Sequence, residues 1–97
     1  SAGDAALYVG DGRVEMARLL FFGALGDAMK RERALALPDG VATADALIAY
    51  LCASDPVFAD AFRRTKVKLA VNESIVDPEA PIGDGDEIAF LPPFSGG

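Results

Sequence analysis

The 97 residues carry nine Lys and Arg against fifteen Asp and Glu, a net charge of −6; phosphate binding needs clustered cations, which argues against a nucleic-acid partner and leaves room for a basic protein. With no histidine and one cysteine, Cys52, the chain excludes zinc sites, Ser-His-Asp triads, Cys-His pairs and an internal disulfide. A hydrophobic share of 52% predicts one compact domain with a modest core, and no apolar run nears the ~20 residues that cross a bilayer.

Residues 1–15 are small, polar and aperiodic, without the basic leader and apolar run of a secretory signal. They read as an N-terminal extension, with a disordered segment, a remnant of expression, an alternative start and a genuine appendage all left open. Tyr8-Val9 and Arg13-Val14 around Gly10-Asp11-Gly12 suit a short hairpin. Met16-Ala-Arg-Leu-Leu-Phe-Phe predicts a buried strand over 16–22. Leu25, Ala28 and Met29 recur at helical spacing and predict a helix over 25–31. Alternation from Arg33 to Leu37, stopped by Pro38-Asp39-Gly40, predicts a second strand.

Thr43 reads as the N-cap of the clearest helix, with Asp45 in its first turn and Ala44, Leu47, Ile48, Leu51 and Cys52 on one face. That stripe makes Cys52 a small buried hydrophobe rather than a reactive thiol. Asp55-Pro56 caps another helix, with Val57, Phe58, Ala61 and Phe62 expected inward and Arg63-Arg64 solvated at its negative end. Residues 66–71 alternate as a strand, Asn72-Glu73-Ser74 turns into a short strand at Ile75-Val76, and Gly83–Asp86 turns into a last strand over 87–91. Helices on one face of a mixed sheet give an α+β domain. No carboxylate pair is singled out by spacing, so catalysis by the chain's own side chains is not expected.

The sequence closes on Leu91-Pro92-Pro93-Phe94-Ser95-Gly96-Gly97. Glycine is about 7% of average sequence, so a terminal pair arises by chance in roughly 0.5% of chains. A terminal carboxylate is ionised at neutral pH and is a poor electrophile until another enzyme activates it. Glycine, lacking Cβ, threads a narrow channel where other residues would obstruct. Pro92 and Pro93 stiffen an extended exit, and 92–97 reaches at most about 20 Å. Phe94 suits the mouth of such a channel, or else packs back on its own domain. The plainer alternative for the whole segment is a frayed tail.

Met16-Ala-Arg-Leu-Leu-Phe-Phe, Ala70-Val71-Asn72, Asp84-Gly-Asp-Glu-Ile-Ala-Phe and the tail together resemble the small-subunit family of molybdopterin synthase, whose members are ubiquitin-like β-grasp sulfur carriers. The resemblance covers 16–97 and departs from the family in the segment before Met16 and at Phe94, where a smaller apolar residue is common. It implies a β-grasp domain over 16–91 and a reactive tail over 92–97. An ATP-dependent adenylating enzyme would activate Gly97, and a sulfur donor protein would displace AMP to leave a thiocarboxylate. Pro92, Pro93, Phe94, Ser95 and Gly96 would thread into the large synthase subunit, where sulfur passes to a pyranopterin precursor. ATP would be consumed by the activating enzyme, with no cofactor or metal bound to this chain, in the cytoplasm and without nucleic acid or membrane. The nearer alternatives are a carrier for thiamin or amino-acid sulfur delivery, or a protein modifier. The alternative of another class is a ubiquitin-like interaction domain whose tail is never activated.

The resemblance also implies that the first and last strands lie adjacent and parallel in mid-sheet, as their apolar character suits. Leu19 and Phe21 then share one face and Leu20 and Phe22 the other; Ile88 and Phe90 oppose Ala89 and Leu91 in the same way. If Leu19, Phe21, Ile88 and Phe90 meet the helices, Leu20, Phe22 and Leu91 form an apolar partner surface beside the tail. The alternative is further core beneath residues 1–15.

Overall fold

The computed structural model describes residues 8–9, 13–14 and 16–92. Strands β1 (Tyr8–Val9) and β2 (Arg13–Val14) pair antiparallel as a small separate sheet, as the hairpin reading expects. The body runs β3 (Ala17–Phe21), α1 (Gly23–Ala28), β4 (Glu32–Leu35), α2 (Ala44–Ser54), α3 (Pro56–Arg64), β5 (Lys68–Val71), β6 (Ser74–Val76) and β7 (Glu87–Leu91). Its five strands stand in the order β4-β3-β7-β5-β6. β3 and β7 are adjacent and parallel, with Leu19 beside Ile88 and Phe21 beside Phe90, and every other pairing is antiparallel. This is the β-grasp arrangement, with the first and last strands of the body in the middle of the sheet as expected.

The core forms where helices meet one sheet face. Leu19, Phe21, Ile88 and Phe90 are essentially fully buried, together with Leu25 of α1, Leu47 and Leu51 of α2 and Phe58 of α3. Phe21 stacks on Phe90 with ring centroids 5.0 Å apart, and Phe58 meets both edge-on at 6.1 and 5.6 Å. Such offset and edge contacts suit the ring quadrupole and add to the burial of large apolar area.

Both predicted caps form. Thr43 Oγ1 accepts from the Ala46 N–H at 3.1 Å. Asp55 Oδ1 accepts from the Val57 and Phe58 N–H groups at 3.0 and 3.2 Å, with Pro56 opening the helix. Cys52 is half-buried against the core, and the exposed Arg63 and Arg64 pair with Asp60 at 3.9 and 3.2 Å.

The differences from expectation have local causes. The first helix is Gly23–Ala28 rather than 25–31, because Phe21 donates to the Arg31 carbonyl at 2.8 Å and draws the chain into the sheet ladder. The second strand accordingly begins at Glu32 and ends at Leu35. β5 starts at Lys68 rather than Lys66, and β6 takes in Ser74. Val57, expected inward, is 52% exposed, while Ala59 is buried. Both flank the Phe58–Ala61–Phe62 stripe by roughly a quarter turn; the Val57 flank opens beside β4. Ile82, which the sequence pattern did not single out, is buried, its N–H held by the Ala42 carbonyl at 3.0 Å.

The β5–β6 turn contains Asn72 at φ 50° and Glu73 at φ 72°. Positive φ at both central residues makes it a two-residue turn of primed type. Asn tolerates this region, whereas a residue such as Glu pays roughly 1–2 kcal/mol for it. Glu73→Gly removes that strain at the cost of about 0.5–1 kcal/mol in unfolded-chain entropy. The net gain at the middle of those ranges, about 0.75 kcal/mol, raises Tm by about 3–6 °C in a thermal melt; an unchanged or lower Tm would show that the Glu73 side chain compensates its backbone.

Candidate functional site

The start of β7 is locked by a short hydrogen-bond network. Asn72 donates its N–H to the Glu87 carbonyl at 2.7 Å, and its Oδ1 accepts from the Glu87 N–H at 3.0 Å. Asn72 Nδ2 donates to Asp86 Oδ1 at 3.0 Å, and Asp86 Oδ2 accepts from the Gly83 N–H at 2.8 Å. Two of the stretches that carry the family resemblance, 70–72 and 84–90, are therefore bonded to each other. They hold the strand that leads to the tail.

At the other end of β7, Phe22 donates its N–H to the Phe90 carbonyl at 3.0 Å, one step beyond β3. The chain then turns at Gly23, whose φ is +62°. A Cβ on Gly23 would stand 2.8 Å from Pro92 Cβ, closer than real Cβ atoms come. Gly23 is thus required twice, by its left-handed backbone and by the seat it makes for Pro92. Pro92 itself is exposed, and its fixed φ sets the direction in which the chain leaves the sheet. The expected threading residues Pro93, Phe94, Ser95 and Gly96 and the expected reactive Gly97 lie outside the described residues.

Beside this exit, the sheet face away from the helices carries an apolar field. Leu20 stands next to Ala89 in the parallel register, Ala89 opposite Ala70, and Ala70 opposite Ile75, so all four share one face. Leu91 faces Lys68 in the next row. Leu20 and Leu91 are half-buried, whereas Phe22 is 43% and Ile75 54% exposed. On the same face Arg18, one pleat further from the tail than Leu20, pairs with Glu32, the cross-strand neighbour of Leu20, at 2.8 Å and with Glu87 at 3.5 Å. Exposed pairs of this kind contribute little stability; here they leave the apolar end nearest the tail.

The structure thus brings Leu20, Phe22 and Leu91 onto one face, as expected. Sequence reasoning placed Ala89 on that face with Leu91 without counting it in the surface, and missed Ala70 and Ile75 as parts of it and Gly23 as the seat of Pro92. Alternation along Lys66-Val67-Lys68-Leu69 suggested a polar face for β5, yet Ala70 continues that face as an apolar position. Gly23 followed two phenylalanines, with nothing local to mark its distant neighbour. Among the described residues no His, Cys, Asp and Glu side chains group as a metal site, and no helix is long and apolar enough to cross a membrane.

The ThiS family model matches residues 19–97. The chain is similar to the molybdopterin synthase sulfur carrier subunit of Haemophilus influenzae, at 34% identity over 82 residues that span 84% of this chain and 100% of that protein. In fold it is similar to SAMP1 from Haloferax volcanii, with a TM-score of 0.66 and 23% identity over 84% of this chain and 99% of that one. It is also similar to a chain in the complex of subunits 1 and 2 of molybdopterin-converting factor from Helicobacter pylori 26695, with a TM-score of 0.59 and 24% identity over 84% and 99% of the two chains.

Proposed function

The chain belongs to the ThiS family, and on that footing we propose that it is a sulfur carrier, the small subunit of a molybdopterin synthase. The observation that carries this reading is its likeness to a sulfur carrier subunit along that protein's whole length. The body is 16–91, and 92–97 is the tail, led out by the close seat of Pro92 on Gly23. The segment 1–15 is an extension outside that body.

Gly97 carries the chemistry. Its carboxylate does not exchange oxygen for sulfur unaided, because hydroxide is a poor leaving group. An ATP-dependent adenylating enzyme joins the carboxylate to AMP with release of pyrophosphate, giving a mixed anhydride with a good leaving group. Sulfide-level sulfur released by a donor protein attacks the acyl carbon, the acyl–phosphate bond breaks, AMP departs with its electron pair and a thiocarboxylate remains. One hard step becomes two easier ones. The tail residues Pro92, Pro93, Phe94, Ser95 and Gly96 then enter the large subunit, whose side chains perform the transfer to the pyranopterin precursor. Leu20, Phe22 and Leu91 form the docking face, and the two-subunit complex of the Helicobacter pylori factor supports a partner of this kind. ATP is consumed by the activating enzyme rather than bound here, and the work is cytoplasmic.

Intact-mass measurement of the chain purified from its own host tests this. The expected spectrum contains a species with one oxygen replaced by sulfur, localised to the C-terminal peptide. A single unmodified species under conditions of active cofactor synthesis would overturn the carrier reading.

A further inference from the structure

The connectivity of the sheet gathers cations around the tail. β3 and β7 run parallel and finish together near Phe22 and Pro92, and β4 and β5 flank them antiparallel, so both begin at that end. The residues leading into β4 and β5 are basic. Arg31 accepts the Phe21 N–H at its carbonyl, 2.8 Å away, which sets Lys30 and Arg31 beside the end of β3. Lys68 stands opposite Leu91, and Lys66 precedes it by two residues. Neighbouring strands lie about 4.8 Å apart, so the two pairs stand roughly 15 Å from each other with the tail leaving between them. Among the described residues no carboxylate forms an ion pair with any of the four.

The carboxylates at this end do not cancel them. Among the described residues these are Asp27, which lines a small cavity with Phe22, Gly23 and Arg31, and Asp77, which lines a groove with Lys68. Arg63 and Arg64, on the helix end that leads into Lys66, share the single carboxylate of Asp60. The opposite end of the sheet carries Glu73, Asp84, Asp86 and Glu87, with Arg18 at 3.5 Å from Glu87. A net charge of −6 alone points to a basic partner, yet the end that carries the tail has the other sign. We propose that Lys30, Arg31, Lys66 and Lys68 form a cationic collar around the tail exit, which meets acidic side chains at the mouth of the channel that receives the tail on the large subunit. This rests on the carrier reading, since whatever takes the tail covers the collar. The apolar face of Leu20, Phe22 and Leu91 supplies affinity; the collar selects the approach, because an acidic mouth is repelled by the far end of the domain and drawn to this one. A nucleic acid long enough to pass the collar would run onto the negative remainder of the surface.

The test follows association of the full chain with the large subunit of its own host, at about 0.05 M and about 0.5 M salt. The wild-type association rate is expected to fall about tenfold or more between the two. Lys66→Gln combined with Lys68→Gln is expected to lower that rate about tenfold at low salt, with the dissociation rate within about twofold and the deficit gone at high salt. Arginine at both positions is expected to restore it. Lys30→Gln with Arg31→Gln is expected to act alike from the other side of the exit, and decides the matter if the first pair disturbs β5. Glu73→Lys changes net charge by the same amount at the far end and is expected to leave the rate within about twofold. Binding that ignores salt and both pairs leaves the carrier reading standing and overturns the collar alone. So does a Glu73→Lys effect as large as theirs, or tighter collar-dependent binding of a single-stranded DNA oligonucleotide than of the large subunit. No binding of the wild-type chain to the large subunit overturns the carrier reading and the collar with it.

Discussion

A chain lacking Gly97 is expected to show no sulfur transfer in a reconstituted synthase, while its stability stays within about 0.5 kcal/mol of the full chain. The carboxylate would then sit on Gly96, withdrawn by one residue, or about 3.3–3.6 Å. A displacement of about 1 Å from a near-attack geometry already costs on the order of 100-fold in rate, so an acyl centre misplaced by several times that distance falls outside both the activating and the transferring site. Folding is spared because the described core lies within residues 17–90 and Pro92 is exposed. The experiment combines the truncated chain with the activating enzyme, sulfur donor and large subunit, measures product formation, and records a thermal melt beside it. Retained product formation would overturn the carrier mechanism, whatever the melt shows.

Two neighbouring phenylalanines are expected to part company under the same substitution. Phe21 is 1% exposed and contacts the rings of both Phe90 and Phe58. Phe21→Ala leaves a cavity at the centre of the aromatic cluster and is expected to cost about 3–5 kcal/mol, a large fraction of the ~5–15 kcal/mol that holds a domain together. Phe22 is 43% exposed on the opposite face, beside Leu91 and the Gly23–Pro92 contact. Phe22→Ala is expected to change stability little and to weaken large-subunit binding by about 2 kcal/mol or more, the scale of an interface hot spot, which is roughly thirtyfold in Kd. Denaturant melts and calorimetry of both variants give the two numbers. Should Phe22→Ala unfold the domain yet bind normally once refolded, the outer face is core and the docking assignment fails.

Elements with local causes were legible from the chain alone. Thr43 and Asp55-Pro56 announce helix starts because a capping oxygen and a ring-fixed φ act within three residues of themselves. Strand β5 is legible because the alternation along Lys66-Val67-Lys68-Leu69 reports a half-buried pleat directly. The residues matching the family motifs, Asn72 and Asp84–Phe90 among them, pointed to the right fold before their mutual hydrogen bonds were visible.

Tertiary structure decided what no local pattern contains. β3 and β7 are apolar on both faces, so a two-residue period cannot say whether Phe21 or Phe22 is core; the side on which α2 and α3 arrive settles it. Val57 and Ala59 lie equally far from the centre of their helix stripe, and only the neighbouring surfaces make one exposed and the other buried. Gly23 looks like an ordinary break after a strand until the parallel pairing of β3 with β7 carries Pro92 against it. Position along the chain sets which groups can bend, cap or alternate, but contact between residues far apart in sequence exists only once the sheet has closed, and the exit of the tail is a contact of that kind.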